Sequence, residues 1–379
     1  MHGRPRPPVG EPEDPERRRA SEKRLSLFSR LCNEVLERRA AKRYDAESMM
    51  LAAKLLEQNP EVYTVWNYRR EALMGILKGE QGDETAAHAA KSELKLTETA
   101  IRKNPKSYAA WHHRKWLVAL GVAPLKVELQ LVTKLQEMDS RNFHAWAYRR
   151  WITAKAGTSP RREAQYTMDL INTNFSDYSA WHARTVLLPQ LHAVMPATLQ
   201  KPVPAEDSPS NAYLSQTASV EASGVVPSSA IEQELDLVEQ ATFTDPSDQS
   251  AWIYHRWLLS QSLERYQDAQ RCDAPQQDTA YHELQAVLQR EICRCESLLD
   301  AEDDRSKCKW PMLTMARLLE LRKSLHARQG AERQESDDEG CKRRLEQLYT
   351  ELAEVDPKRK GYYDDALAGK ASVLVRQWT

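Results

Sequence analysis

The sequence predicts an all-α fold, a right-handed α-solenoid built as a crescent of helical hairpins, and three observations predict it. The first is a repeated local pattern: Asn59-Pro60…Tyr63…Trp66…Arg69-Arg70, Asn104-Pro105…Tyr108…Trp111…Arg114-Lys115 and Asp139…Phe143…Trp146…Arg149-Arg150. It continues as Asn174…Tyr178…Trp181…Arg184 and Asp245-Pro246…Gln249…Trp252…His255-Arg256. From 66 to 111, 146, 181 and 252 the tryptophans advance by 45, 35, 35 and 71 residues. A period of roughly 30–45 residues marks stacked units that cannot bury an apolar face alone. The second observation is helical spacing of apolar residues between the tryptophans. The third is composition: 29% of residues are charged and only 12 are Gly, as thin helical layers with much solvent-facing surface require.

Taken in order, residues 1–20 are Pro- and charge-rich and read as a flexible tail. Ser21 to Lys42 carries Leu25, Leu27, Phe28, Leu31, Val35 and Leu36 on a helical spacing. Asp45 is an N-cap before the run Met49 to Leu56. In each repeat a helix is expected to end near the Asn/Asp-Pro, and the chain turns into a helix that carries the aromatic, the Trp and the basic pair. Pro60, Pro105 and Pro246 suit the first turn of that helix. The aromatic three before each Trp is expected to share its face, a stripe extended by pairs such as Leu117-Val118 and Leu258-Leu259. The second helix of each pair is legible too: Ala119 to Met138 contains Leu125, Val127, Leu129, Leu131, Val132 and Leu135.

The solenoid is thus expected over 21–192 and 230–375. Ala193 to Ser229, rich in Pro, Ser, Ala and Thr, is expected to be a disordered insertion. Arg328 to Glu339 reads as a charged loop. Asp303 before Trp310 suggests an imperfect sixth copy, and Asp356-Pro357 with Tyr362-Tyr363 a seventh without its Trp, as terminal repeats are usually atypical.

Fifty-four basic residues against 55 acidic ones give no whole-chain field favouring nucleic acid. No apolar run has the ~18–20 residues of a membrane span. The six cysteines form neither a disulfide framework nor a CxxC pair, and Cys293 and Cys295 should point to different helix faces. Together these features read as a cytoplasmic, reduced, soluble protein.

Catalytic motifs are absent: no GxGxxG, GxxxxGK, GxSxG or HExxH. His112 and His113 are adjacent, so on a helix they diverge by about 100° and cannot chelate one metal. His144 and Tyr148 sit one turn apart, as a polar rim of the Trp stripe or as part of a site. The basic pairs after each Trp admit two roles, ion pairing with acids of a neighbouring helix or a ridge for a phosphorylated ligand. Lys106 differs from its counterparts. It places a mobile cation at a helix start, where free N–H groups and the dipole suit an anion such as diphosphate. His2 on the tail is a metal-ligand candidate only as a lone histidine.

These copies resemble the repeats of protein prenyltransferase α subunits over about residues 20–190 and 230–370. The likeness rests on NPKSYAAWHHRKWL (Asn104 to Leu117), NFHAWAYRRW (Asn142 to Trp151), NFSDYSAWHARTVLLPQL (Asn174 to Leu191) and FTDPSDQSAWIYHRWLL (Phe243 to Leu259). Within that family the FTDPSDQSAW stretch and the Met1-His2-Gly3-Arg4 start resemble the α subunits of the type II, Rab-modifying geranylgeranyltransferases, in a compact fungal-like form. The resemblance implies a heterodimer with a β subunit that holds the zinc ion and most of the active site, so that this chain binds no cofactor itself. Geranylgeranyl diphosphate is the implied donor. The implied acceptors are C-terminal cysteines of Rab GTPases presented by an escort protein.

The resemblance further implies that Lys106, in the (N/Q)PK-x-Y motif, touches the diphosphate. It places Tyr63, Tyr108, Arg141, Phe143 and His144 facing the β subunit and substrate, with Trp66, Trp111, Trp146, Trp181 and Trp252 structural. Related farnesyl enzymes carry Lys-Asn-Tyr-His where this chain has Arg141-Asn142-Phe143-His144, so a hydroxyl is missing at Phe143. Two alternatives remain: the α subunit shared by farnesyltransferase and type I geranylgeranyltransferase, and a non-catalytic helical-repeat scaffold.

Overall fold

A computed structural model describes residues 15–78, 83–193, 225–328 and 335–370. Among them are fifteen α-helices and no strand, so the all-α expectation holds. The chain divides into two compact units, Met1–Thr158 and Ser159–Thr379. The first holds α1 (Pro15–Ala40), α2 (Ala46–Gln58), α3 (Tyr63–Lys78), α4 (Asp83–Lys103), α5 (Tyr108–Ala119), α6 (Leu125–Met138) and α7 (Phe143–Lys155). The second holds α8 (Pro160–Thr173), α9 (Tyr178–His192), α10 (Ser228–Thr244), α11 (Gln249–Ala269), α12 (Ala274–Ala301), α13 (Lys309–Arg328), α14 (Glu335–Val355) and α15 (Lys360–Leu367).

In the first unit the hairpins α2/α3, α4/α5 and α6/α7 stack so that the Trp-bearing helices α3, α5 and α7 touch in sequence. The second unit repeats the scheme, α9 meeting α11 and α11 meeting α13. Stacking buries the tryptophans: Trp66 and Trp181 are 1% exposed, and Trp111, Trp146 and Trp252 no more than 6%. Leu117, Val118, Leu258 and Leu259 extend the buried stripe two turns on, as their spacing predicts. Truncating such a ring leaves a cavity the helices cannot close. Trp181→Ala is therefore expected to cost ~3–5 kcal/mol in denaturant unfolding, and a loss under about 1 kcal/mol would show that the ring is not core.

Several boundaries differ from expectation for local reasons. Helix α1 starts at Pro15, because Pro suits a first helical turn and the following Glu, Arg and Ala are good helix formers. Residues 1–14, with His2, lie outside the described residues. Pro60 and Pro105 sit in the turns that precede α3 and α5, since those helices open only at Tyr63 and Tyr108. Pro246 likewise precedes α11. The outer helix of the third hairpin starts at Leu125, because Gly121 turns the chain at φ +80°. The aromatic three before each Trp is exposed and not buried with it: Tyr63 48%, Tyr108 59%, Phe143 53% and Tyr178 41%.

Most of the expected insertion, 194–224, and part of the charged loop, 329–334, lie outside the described residues. Val226 is buried and α10 begins at Ser228, just inside the expected edge of the insertion. Cys293 is exposed and Cys295 buried, on different faces as expected.

The two degenerate copies resolve differently. Trp310 misses the core: it is half-buried between Lys309 and Arg359, and Met312, Met315 and Ala316 fill the interior. Tyr363, seven residues after Asp356, is fully buried and takes the place of the Trp. Its hydroxyl donates to Asp356 Oδ2 at 3.0 Å. Burial, reinforced by that carboxylate, pushes the phenol up to about 12.

Candidate functional site

The repeated pattern is a lock for the turn before each Trp helix. Seven residues before the Trp, an Asn or Asp accepts the N–H two residues on: Asn59 from Glu61 (3.0 Å), Asn104 from Lys106 (3.2 Å) and Asp139 from Arg141 (3.2 Å). Asn174 and Asp245 accept from Ser176 (3.0 Å) and Ser247 (2.9 Å) in the same way. Such Asx turns are the local alternative these side chains offer the backbone. Ser107, Asn142, Asp177 and Asp248 then cap α5, α7, α9 and α11. Each indole Nε1–H donates to the carbonyl six residues back, Trp66 to Pro60 (2.8 Å), Trp111 to Pro105 (2.9 Å) and Trp146 to Ser140 (2.7 Å). Trp181 and Trp252 do the same to Phe175 (2.8 Å) and Pro246 (3.0 Å).

The first member of each basic pair is structural. Arg114 grips Glu128 with two bonds, Nε to Oε2 at 2.8 Å and Nη2 to Oε1 at 2.7 Å, and Tyr148 of the next hairpin donates to the same carboxylate at 2.7 Å. Arg184, Glu234 and Tyr254 repeat the arrangement in the second unit, with Tyr254 donating at 2.8 Å. In the fifth copy His255 meets Glu291 at 2.9 Å. Burial lifts the Tyr148 and Tyr254 phenols above their ordinary range, and the shared carboxylates add to the effect. His144 and Tyr148 are both buried beside Trp111, at 6.4 and 5.1 Å between ring centroids.

In the first copy Arg69 and His113 share Glu93, with Arg69 Nε at 2.9 Å and His113 Nε2 at 2.8 Å from Oε1. Arg70 Nε–H donates to His113 Nδ1 at 3.2 Å, so Nε2 carries the proton and the ring is neutral. Burial lowers the pKa of His113 in agreement. Burial opposes ionisation of Glu93, but the bond from His113 and the charge of Arg69 outweigh it and hold the carboxyl at about 2, against an ordinary 4.5. Its contribution is therefore complete above pH 4.5 and is lost as pH falls toward 2. Wild type should lose on the order of 2–3 kcal/mol through that window, and Glu93→Gln should flatten the loss in urea unfolding between pH 5 and pH 3. Parallel pH curves for the two proteins would contradict this.

The candidate site lies at the N-terminal ends of α3, α5 and α7. Lys106 is exposed in the turn just before the N-cap Ser107, two residues ahead of the first residue of α5. Its backbone is clamped from the next hairpin. Asn142 Nδ2 donates to the Pro105 carbonyl at 3.0 Å, and the His144 ring lies beside the Lys106 main chain with its Nε2 buried without a partner. Burial holds the His144 pKa down. Tyr108 stands edge-on to His144 at 4.3 Å and beside Phe143 at 5.9 Å. Tyr63 lies near Tyr108 and Glu61, its phenol raised by burial first and then by Glu61.

The structure thus gathers Lys106, Tyr108, Phe143 and His144, whereas Tyr63 opens the preceding Trp helix and Arg141 is exposed in the turn before α7. Sequence reasoning expected acids of a neighbouring helix to pair with Arg69, Arg114 and Arg184, as they do, but missed the Asn142 clamp and did not identify the buried glutamates. A signal for the latter existed: Glu93, Glu128, Glu163 and Glu234 each stand eighteen residues before the next repeat Trp, at 111, 146, 181 and 252. Counting eighteen from Glu291 reaches Lys309, so Trp310 is displaced by one residue from the core position. Among the described residues no group of three or more His, Cys, Asp or Glu is placed to hold a metal ion. No helix among them is long and apolar enough to cross a membrane.

Fold and site together define a helical-hairpin repeat protein whose exposed helix ends carry rings and a cation suited to an anionic ligand. The pattern described as the protein prenyltransferase alpha subunit repeat matches residues 45–75, 90–120, 125–156, 160–191 and 231–262. A relative named geranylgeranyl transferase type-2 subunit alpha, from Dictyostelium discoideum, is 30% identical over 331 residues, covering 87% of this chain and 86% of its own length. The rat protein of that name is 40% identical over 263 residues, 69% of this chain and 42% of its own, and the Arabidopsis thaliana subunit alpha 1 is 47% identical over 264 residues, 69% and 34%. The chain thus spans less than half the length of the rat and plant relatives. The solved structure of Candida albicans protein geranylgeranyltransferase-I complexed with GGPP is 15% identical with a TM-score of 0.56, covering 97% of this chain and 95% of that one, a likeness of fold. The chain belongs to the protein prenyltransferase alpha-subunit family.

Proposed function

We propose that this chain is the α subunit of a heterodimeric type II protein geranylgeranyltransferase acting in the cytoplasm. The observation that carries the reading is the near end-to-end match to the Dictyostelium type-2 subunit alpha. The exposed Lys106, clamped in its turn and flanked by Tyr108 and His144, supports it. In this reading the β subunit supplies the zinc ion, which activates the acceptor cysteine as thiolate. The acceptors are C-terminal cysteines of Rab GTPases brought by an escort protein. A thioether forms between sulfur and the first carbon of the geranylgeranyl group as the bond to diphosphate breaks. Lys106 meets the charge that grows on the departing diphosphate, and a cation already held in place stabilises that charge with little reorganisation. Tyr63, Tyr108, Arg141, Phe143 and His144 border this place on the partner-facing side. In the same reading, the stretch between α9 and α10 is an insertion within the repeats.

The test is co-purification with candidate β subunits, followed by transfer assays on a Rab–escort complex and on a CaaX peptide. Transfer to the Rab–escort complex alone is expected. Transfer to the peptide alone would assign the shared α subunit, and failure to bind any β subunit would leave a scaffold.

A further inference from the structure

The Trp helices of the first unit are nearly free of acids. Helices α5 and α7 contain no Asp or Glu, and α3 contains only Glu71, which Arg39 engages at 2.7 Å. Each helix carries an exposed ring at its start and a cation seven residues later on the same face: Tyr63 with Arg70, Tyr108 with Lys115, Phe143 with Arg150. Arg70 and Lys115 are half-buried and lie over the tryptophans of the next hairpin, each 5.1 Å from the ring centroid of Trp116 or Trp151. Among the described residues no carboxylate pairs with Arg70, Lys115 or Arg150, in contrast to the neighbouring Arg69 and Arg114. The other contact of Arg70 is the neutral His113 ring, which cancels no charge. Burial depresses the pKa of Arg70 and Lys115, so the folded chain removes water from these two without supplying a counter-charge, while Arg150 stays exposed.

We propose that this face docks carboxylates of the partner subunit, with Arg70 and Lys115 as charge anchors held rigid on Trp116 and Trp151. The inference rests on the heterodimer reading above. Contacting helices lie roughly 8–10 Å apart, so the row extends past what one diphosphate could span and fits a folded acidic surface. A cation already stacked on an aromatic ring surrenders little side-chain freedom on pairing.

The test uses the full-length chain with its β subunit and reads the dissociation constant across salt concentrations. The double variant Arg70→Met, Lys115→Met keeps the stems against the indoles and removes the charge. On the order of tenfold weaker association and a flatter salt dependence are expected. The charge-keeping swap Arg70→Lys, Lys115→Arg should restore both, which a purely packing role would not. If wild type binds the β subunit and the Met variant, with an unchanged circular dichroism spectrum, binds equally at every salt concentration, the inference is overturned and the heterodimer reading stands. If wild type does not bind the β subunit at all, the reading itself fails and takes the inference with it.

Discussion

Single-turnover transfer by the assembled enzyme is expected to slow by roughly ten- to a thousandfold in Lys106→Ala, the range for losing one preorganised group aimed at developing charge. Assembly should be unaffected, because the Lys106 side chain is exposed and the turn is held by other groups. Those groups are Asn104 Oδ1, Asn142 Nδ2 and the Trp111 indole, none of which the substitution removes. The effect should fall on the chemical step and not on isoprenoid affinity, since the charge that Lys106 meets grows as diphosphate departs. Unchanged single-turnover rates in a purified heterodimer would remove Lys106 from the reaction.

Glu128→Ala is expected to destabilise the fold by about 3–5 kcal/mol, the range for breaking a buried ion pair. The carboxylate is 1% exposed and is shared by Arg114 and Tyr148. Its loss strands a guanidinium that is itself 3% exposed. Arg114 would retain only the Leu94 carbonyl and the Thr97 hydroxyl. Replacing both members, Arg114→Met with Glu128→Leu, should cost less than either single change, because no charge is left buried alone. Urea unfolding of the three variants checks the order, and a double variant less stable than both singles would contradict it.

The fold was legible because its determinants are local. An Asx turn, a cap and a Trp that bonds back six residues all fall within one stretch of chain, so each copy advertises itself. The same locality misled at the prolines, whose suitability for a first helical turn says nothing of an Asx turn that holds them one step earlier. It misled again at Tyr63, Tyr108 and Phe143, since three residues along a helix can mean the rim of a face and not its centre. At the site, Lys106 stood out by differing from the other copies, but its clamp did not. Asn142 and His144 reach it from the next hairpin, and contacts between hairpins have no signature within one repeat. The glutamates show the converse case: their partners lie across hairpins, yet their constant distance from the next Trp was on the page.

The Arg184–Glu234 pair spans 50 residues where Arg114–Glu128 spans 14, yet both carboxylates sit in the same buried arrangement with a tyrosine. Closing a loop in the unfolded chain costs entropy that grows only with the logarithm of its length, so the 50-residue closure costs about 1 kcal/mol more than the 14-residue one. The stretch between α9 and α10 can therefore lengthen or shorten by many residues at little thermodynamic penalty. Selection on stability barely registers its length, and the chain can vary there while the hairpins on either side keep their register.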